Sequence, residues 1–438
     1  MRYRRILATA VATALGLTAL IAPSASGDEP TLREIAEPAG ILIGSGAVNP
    51  DYLDDPQFAQ VLAAEFESLS PQNELKWTFV HPEKDVYNFD GLDRLVQFAQ
   101  DNDMQVKGHG LISGCCNPQY LLDITDPDEF RDAMVEHFTT VMGRYSETMD
   151  RWDVVTEMFE TQGSTLNEND FYKVLGPDYI AEAFRIAHEA DPDAKLFINE
   201  NMVEFLPEKR QALYELVSGL VADGVPIHGV ALQMHETYVG PQPGVITEIV
   251  NSYHDLGLEV SIAELDVHTY DADAQAKIYG DVVAEALAAG VTEISTWGFT
   301  DKYLWTWLPG AKPLMFTEEY EPKAAYLAYR DALLSFTHDA TAPSVAKLSS
   351  TNDSKRPLDG NYTVSMELKK GTPGSYFRLY ENDVLVYAQA LDATLGSPQV
   401  IEVPFTAKSN GTYVYRGELV NSQGTTESKS TTVKVKRA

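Results

Sequence analysis

Cysteine is nearly absent from this 438-residue chain, which has two, side by side at Cys115 and Cys116. Neighbouring cysteines cannot build a disulfide framework, and no Cys/His spacing of a zinc or iron–sulfur site occurs. No metal and no organic cofactor is expected. A Gly-rich phosphate loop after the first strand-like run is also missing, which counts against a nucleotide-binding open sheet. Basic residues are scarce: 33 Lys and Arg stand against 65 Asp and Glu, for a formal net charge of −32. The deficit is concentrated in residues 28–340, with 18 basic and 56 acidic side chains. Such a body repels nucleic acid and anionic membranes, and leaves a neutral or cationic partner. The plain alternative reading of that charge is solubility.

Long apolar runs are absent after the N-terminus. Residues 1–27 carry a basic "MRYRR", an apolar "ILATAVATALGLTALIA" and a small-residue "PSASG". That is the pattern of a secretory signal, and the apolar run is short for a membrane span. The expectation is an exported, extracellular monomer.

What is present from residue 41 to 335 is alternation. Strand-like runs occur at 41–47, 66–70, 105–112, 150–157, 194–200, 229–235, 259–266 and 293–299, with amphipathic helical patterns between and after them. Eight such units in roughly 300 residues are the parts of a (β/α)8 TIM barrel. After "LLSFTHDATAPS" helical periodicity stops and short alternating strands take over, from "YTVSMEL" to "TTVKVK". This stretch reads as a C-terminal immunoglobulin- or fibronectin-like β-sandwich. The expected domains are a signal at 1–27, a barrel at 28–337, a linker at 338–345 and the sandwich at 346–438.

Two strand-like runs end on carboxylates. "RWDVVTE" runs from apolar residues into Glu157, and "EVSIAELD" into Glu264 with Asp266 two residues on. Catalytic side chains of a barrel sit at the C-terminal ends of its strands, so the fourth and seventh strands would bring two Glu to one mouth. A carboxyl pair there suits glycoside hydrolysis, one group protonating the leaving oxygen and the other attacking the anomeric carbon.

The motifs "WDVVTE", "AELDVH", "QNELKW", "GHGL", "LFINE", "QMH" and "TWGFTDKYLWTW…PLMFTEEYEPKAAYLAY" resemble family 10 of the glycoside hydrolases, the xylanase family. The resemblance spans about residues 40 to 335. It implies a retaining reaction through a covalent glycosyl-enzyme, with Glu157 as acid/base and Glu264 as nucleophile. It also implies His235 as the histidine that hydrogen-bonds the nucleophile, and Asp266 as the carboxylate that holds that histidine. Asn73, Lys76, His109 and Gln233 match polar sugar contacts, while Trp297 and Trp305 match aromatic walls of the sugar pocket.

The chain departs from the family pattern around the cleavage subsite. The family's Asn-Glu at the acid is Thr156-Glu157, and "GHTLVWH" is "GHGLISG", so Ser113 and Gly114 replace a Trp and a His. A glutamine contact aligns with Cys116, a Glu with Gln72, and "INDYN" has become "INENM" at Asn199 to Met202. Losing an indole and an imidazole opens roughly a hundred Å3 or more beside the scissile bond. A wider pocket implies a hexose or a bulky substrate. The expected function is therefore tomatinase-like, removing an oligosaccharide from a plant steroidal glycoalkaloid. The alternatives are an endo-β-1,4-xylanase acting on plant xylan and a non-catalytic carbohydrate-binding barrel. For Cys115 and Cys116 two readings stand: buried reduced thiols, or a vicinal disulfide stiffening the loop.

Overall fold

Lys107 interrupts the third barrel strand, and the interruption closes the ring. The structure, a computed structural model, describes residues 29–352 and 359–436; the export signal expected at 1–27 lies outside them. Ten strand segments occupy eight positions: β1 (Leu42–Val48), β2 (Ser68–Pro71), β3 (Gln105–Val106 and Gly108–Ile112), β4 (Arg151–Thr156), β5 (Lys195–Glu200), β6 (Gly229–Leu232, resumed at His235–Glu236), β7 (Glu259–Val267) and β8 (Glu293–Trp297). They pair in parallel in the order β2-β1-β8-β7-β6-β5-β4. The first piece of β3 pairs with β2, Gln105 opposite Ser68, and the second with β4, Gly108 opposite Trp152. One residue joins the two pieces, so the order returns on itself as a (β/α)8 barrel.

The strands are buried on both faces, which is why they read as apolar runs rather than alternations. In β4 Trp152, Val154 and Val155 are fully buried, and in β5 so are Leu196 and Ile198. A helix follows each strand among the described residues, from Pro56–Glu65 after β1 to Ala324–Thr337 after β8. Several start on strong local signals: Asp55 and Asp126 each cap the next backbone N–H groups and are followed by a proline in the first turn, while Asp271 caps Ala272–Ala289. Gly46 in β1 is required by close approach, because a Cβ there would lie 2.7 Å from the Trp297 ring.

The C-terminal region forms two antiparallel sheets. Lys347–Ser350, Tyr362–Leu368 and Gln399–Phe405 make one; Tyr376–Glu381, Val384–Ala390, Gly411–Asn421, Gly424–Glu427 and Thr431–Val435 make the other. Val364, Met366, Ile401 and Val403 of the first pack on Phe377, Leu379, Tyr415 and Leu419 of the second, as in a sandwich. Lys347–Ser350 and Gly424–Glu427 are strands that the alternation pattern does not mark.

The sandwich is seated on the barrel helices. Ala284, Ala288, Ala332 and Phe336 pack against Tyr376, Ala388 and Val420. Glu285, 4% exposed, is the polar centre of this junction. It accepts the backbone N–H of Gly244 at 3.0 Å, that of Thr247 at 2.9 Å, and the Tyr376 hydroxyl at 2.8 Å. Ser335 adds two bonds, donating to the Leu391 carbonyl at 2.8 Å and accepting from Ala393 N–H at 2.9 Å. Tyr376→Phe should therefore cost about 1.5–3 kcal/mol, the size of a hydrogen bond to a charged group. A chain ended after Thr341 keeps the whole barrel mouth; its kcat/KM on an aryl glycoside should stay within a few-fold while Tm falls by several degrees. Calorimetry checks both variants, and unchanged melting in both would show that the junction contributes nothing.

Candidate active site

Glu157 and Glu264 reach the same mouth by different routes. β4 ends at Thr156, and the Glu157 N–H still bonds the Asn199 carbonyl of β5 at 2.9 Å. The backbone then turns at φ 54°, in the left-handed region, and leaves the Glu157 side chain exposed. Such a conformation in a non-glycine residue is held by its surroundings and is frequent at functional sites. Glu264 lies within β7 and is 4% exposed, in the floor of the mouth.

A hydrogen-bond chain connects the two. Gln233 donates through Nε2 to Glu157 Oε1 at 3.1 Å and to Asn199 Oδ1 at 3.0 Å. Asn199 donates through Nδ2 to Glu264 Oε1 at 2.9 Å and to Asp153 Oδ2 at 3.1 Å. On the other side of Glu264, His235 Nε2 is 3.2 Å from Oε2, and His235 Nδ1 is 2.8 Å from Asp266 Oδ1. His109 Nδ1 sits 3.0 Å from Asp153 Oδ2 and 3.9 Å from Glu264 Oε1. Lys107 pairs with the remaining Asp153 oxygen at 3.1 Å.

These contacts decide the charge state of the floor. Burial pushes the Glu264 carboxyl up, but the hydrogen bond from His235, the nearby His109 and His235 charges and the Asn199 amide outweigh it, and the group ends below the usual glutamate range. Burial pushes His235 down, yet the Asp266 and Glu264 carboxylates raise it well above an ordinary histidine. Asp266 and Asp153, also buried, end below the usual aspartate range because of His235 and of Lys107 respectively. The floor therefore holds an ionised Glu264 against an imidazolium.

The structure brings every sequence-predicted site residue to this mouth. Lys76 donates to Asn73 Oδ1 at 3.0 Å; burial lowers its ammonium pKa, against the pull of Glu264, Glu157 and Glu74. Trp297 lies 5.1 Å from His109 and Trp305 5.4 Å from His235, ring centre to ring centre. Behind Lys76, the Trp77 indole stacks on His137 at 3.9 Å and donates to the Tyr120 hydroxyl at 2.8 Å. His81 and His137 meet there through their Nδ1 atoms at 3.2 Å.

Sequence reasoning missed Asp153, Asn199, Lys107, His268 and Trp307. For Asp153 and Asn199 the available signal was a polar residue in the middle of an otherwise apolar strand, "RWDVV" and "LFINE". His235, Asp266 and His268 place three potential metal-ligand atoms within 4.8 Å of one another. His235 Nδ1 hydrogen-bonds Asp266 Oδ1 at 2.8 Å, and His268 Nε2 makes an ion-pair contact with the same oxygen at 2.9 Å.

The altered loop after β3 is open. Ser113 turns its hydroxyl back to the Cys115 carbonyl at 2.9 Å. At Gly114 an added Cβ would meet only the Asn167 amide, at 3.8 Å. Thr156, which replaces the family's Asn, spends its hydroxyl on the Ile112 carbonyl at 3.3 Å and so faces the barrel wall. Cys115 and Cys116 are joined as a vicinal disulfide, and Cys115 is exposed. The reading of two buried reduced thiols is thereby corrected: a loop that projects past the strand ends offers no apolar space to fill.

Comparison with known proteins gives this geometry a family. The model of glycosyl hydrolase family 10 matches residues 31–332. The chain belongs to glycosyl hydrolase family 10. It is 35% identical over 318 residues to endo-1,4-beta-xylanase B of Thermotoga neapolitana, covering 69% of this chain and 91% of that one. Among solved structures it resembles native xylanase 10B of Thermotoga maritima, with a TM-score of 0.67 and 35% identity over 70% of this chain and 99% of that one. Xylanase 10B of Thermotoga petrophila, solved with xylobiose, gives the same TM-score at 34% identity, with 70% and 97% covered. The family match ends before the sandwich begins. The protein is thus a retaining O-glycosyl hydrolase.

Two outcomes follow from the charges. Removing the His235 donor and its charge lets burial raise Glu264, so in His235→Ala the acidic limb of the kcat/KM–pH profile should move to higher pH by on the order of one unit. An unmoved limb would separate His235 from the ionisation of Glu264. The second outcome concerns stability. Burial holds His81 down to about 4 and His137 well below an ordinary histidine. Unfolded histidines take up protons near 6.5, so the stability these two lend is fully present above that pH and is lost as pH falls toward 4. Urea midpoints measured between pH 7 and 4.5 should fall, and fall less in His137→Gln.

Proposed function

We propose that Glu157 and Glu264 carry out a double displacement on a β-linked glycan of plant origin, with chains of the β-1,4-xylan type as the first substrate. In the first step a Glu264 oxygen bonds to the anomeric carbon as the bond to the leaving oxygen breaks, and Glu157 gives that oxygen its proton. In the second, Glu157 takes a proton from water, the water oxygen replaces Glu264 at the anomeric carbon, and both residues return to their starting states. The observation that carries this reading is the pair of unequal environments: a buried, charge-supported Glu264 and an exposed Glu157, linked through Gln233 and Asn199. Asn73, Lys76 and His109 supply polar contacts to the sugars, and Trp297 and Trp305 supply ring faces. The export pattern of residues 1–27 supports an encounter with such polymers outside the cell.

A second reading is favoured by Ser113, Gly114 and Thr156. With the side chain at 113 folded into its own loop and open space at 114, the cleavage subsite accepts a hexose more readily than a tight xylose wall would. A tomatinase-like enzyme, cutting behind a galactose, requires that room.

One panel separates the readings: purified protein with xylan, aryl xylobioside, aryl cellobioside, aryl lactoside and α-tomatine, products read by mass. Efficient xylan cleavage with no action on α-tomatine selects the first; turnover of lactoside and α-tomatine without xylan cleavage selects the second. Glu264→Ala should lose at least about 10⁴-fold in kcat on every active substrate. Glu157→Ala should spare aryl glycosides, whose leaving groups need no proton, by a factor of about a hundred relative to natural ones. Equal losses on both would remove the acid/base assignment.

A further inference from the structure

Asp266 holds two imidazoles on one oxygen. Its Oδ1 is 2.8 Å from His235 Nδ1 and 2.9 Å from His268 Nε2. His235 is the partner of Glu264, whereas His268 has no part in the chemistry described so far. It is 1% exposed and follows the end of β7 directly. Its other nitrogen, Nδ1, is 2.8 Å from the Thr306 hydroxyl. That hydroxyl in turn accepts the Leu308 N–H at 3.0 Å, so His268 grips the loop at the point where it folds back on itself.

Thr306 stands between two tryptophans. The Trp307 indole lies face to face on the His268 ring, centroids 3.6 Å apart and planes 27° apart. Trp305 meets the same histidine edge-on at 5.7 Å and Trp307 edge-on at 5.3 Å. Trp305 is 48% exposed and Trp307 47%. Their rings lie 5.4 and 6.1 Å from that of His235, at the edge of the mouth that Glu264 floors. Trp307 thus has one face covered by a buried histidine and half of its surface open beside the reacting centre. A rigid indole presented this way packs well on the apolar face of a pyranose.

We infer that His268 is a positioning residue that fastens the Trp305–Trp307 wall to Asp266, and that Trp307 is a second stacking surface of the sugar site. The wall that orients the sugar and the group that supports the nucleophile then share one carboxylate. Loop and nucleophile keep a fixed spacing because His235 hydrogen-bonds Asp266 and His268 sits in ion-pair contact with the same oxygen. The inference rests on the family's hydrolytic chemistry and not on which glycoside is the natural one.

Three variants test it. His268→Phe keeps a ring against Trp307 and loses both nitrogens; Thr306→Val removes only the hydroxyl at the loop; Trp307→Leu removes the stacking face. Each is assayed with the aryl disaccharide that the wild type turns over fastest, and each is titrated with xylobiose and lactose by tryptophan fluorescence, which needs no turnover. Trp307→Leu and Thr306→Val should raise KM and the disaccharide Kd at least about five-fold, with kcat within about two-fold. His268→Phe should raise both and also lower kcat, because Asp266 loses a partner. Wild-type KM and Kd in Trp307→Leu and Thr306→Val overturn the proposal, as does a loss confined to kcat in either. If His268→Phe does not fold, the other two variants decide the matter. Should the wild type turn over no glycoside at all, the proposed function fails while the fluorescence titrations still decide this one.

Discussion

The buried pairing of His235 with Glu264 and Asp266 is the constraint on which the rest of the barrel mouth depends. Charges taken out of water cost several kcal/mol each unless partnered at good geometry. Here Glu264, Asp266, His235, Asp153 and Lys107 are all largely withdrawn from solvent, and each has an opposite charge or a donor in contact. Removing any one strands another. The pairing also fixes the division of labour. The carboxylate in the floor is held ionised by its neighbours, and the carboxylate at the rim, Glu157, stands exposed to water and substrate.

Around that floor the walls are of two kinds. The wall carrying Asn73, Lys76, His109, Trp297 and Trp305 is packed and hydrogen-bonded. The wall after β3 carries Ser113 and Gly114 and ends in a loop bonded to itself, Ser113 to Cys115 and Cys115 to Cys116, and held from the segment after β2 by Thr78, whose hydroxyl donates to the Cys116 carbonyl at 2.5 Å. An open wall beside a charge-paired floor leaves the floor's chemistry independent of which residues line that wall. Among the described residues, the buried contacts of the sandwich are to Glu285 and to the helices on the outside of the barrel.

Much of this was legible in the sequence, and the reasons differ from place to place. Strands of a parallel barrel are apolar on both faces, so their positions stand out, and a carboxylate closing such a run is conspicuous; Glu157 and Glu264 were found this way. Asp153 and Asn199 were not, because a single polar residue inside an apolar run reads as an interruption until its partners are known to converge in three dimensions. His268 and Trp307 are separated by 38 residues and meet only through the closure of β7 against the loop after β8. The break at Lys107 is invisible in "QVKGHGLI", since a buried lysine declares itself only through its pair with Asp153. Lys347–Ser350 is a short strand with one fully alternating apolar position, too little for a period to register. The exposure of Cys115 follows from a loop path that no local pattern records.

The central claim is that Glu264, held ionised by His235, becomes covalently bonded to the sugar. An activated 2-deoxy-2-fluoro glycoside of the sugar that the enzyme prefers slows the second step and lets that bond accumulate. Peptide mass mapping after such treatment should find one added glycosyl group on the peptide containing Glu264, at one per chain, with activity lost in parallel. A label on Glu157 or elsewhere, or turnover to a product of inverted anomeric configuration with no label at all, would contradict the account.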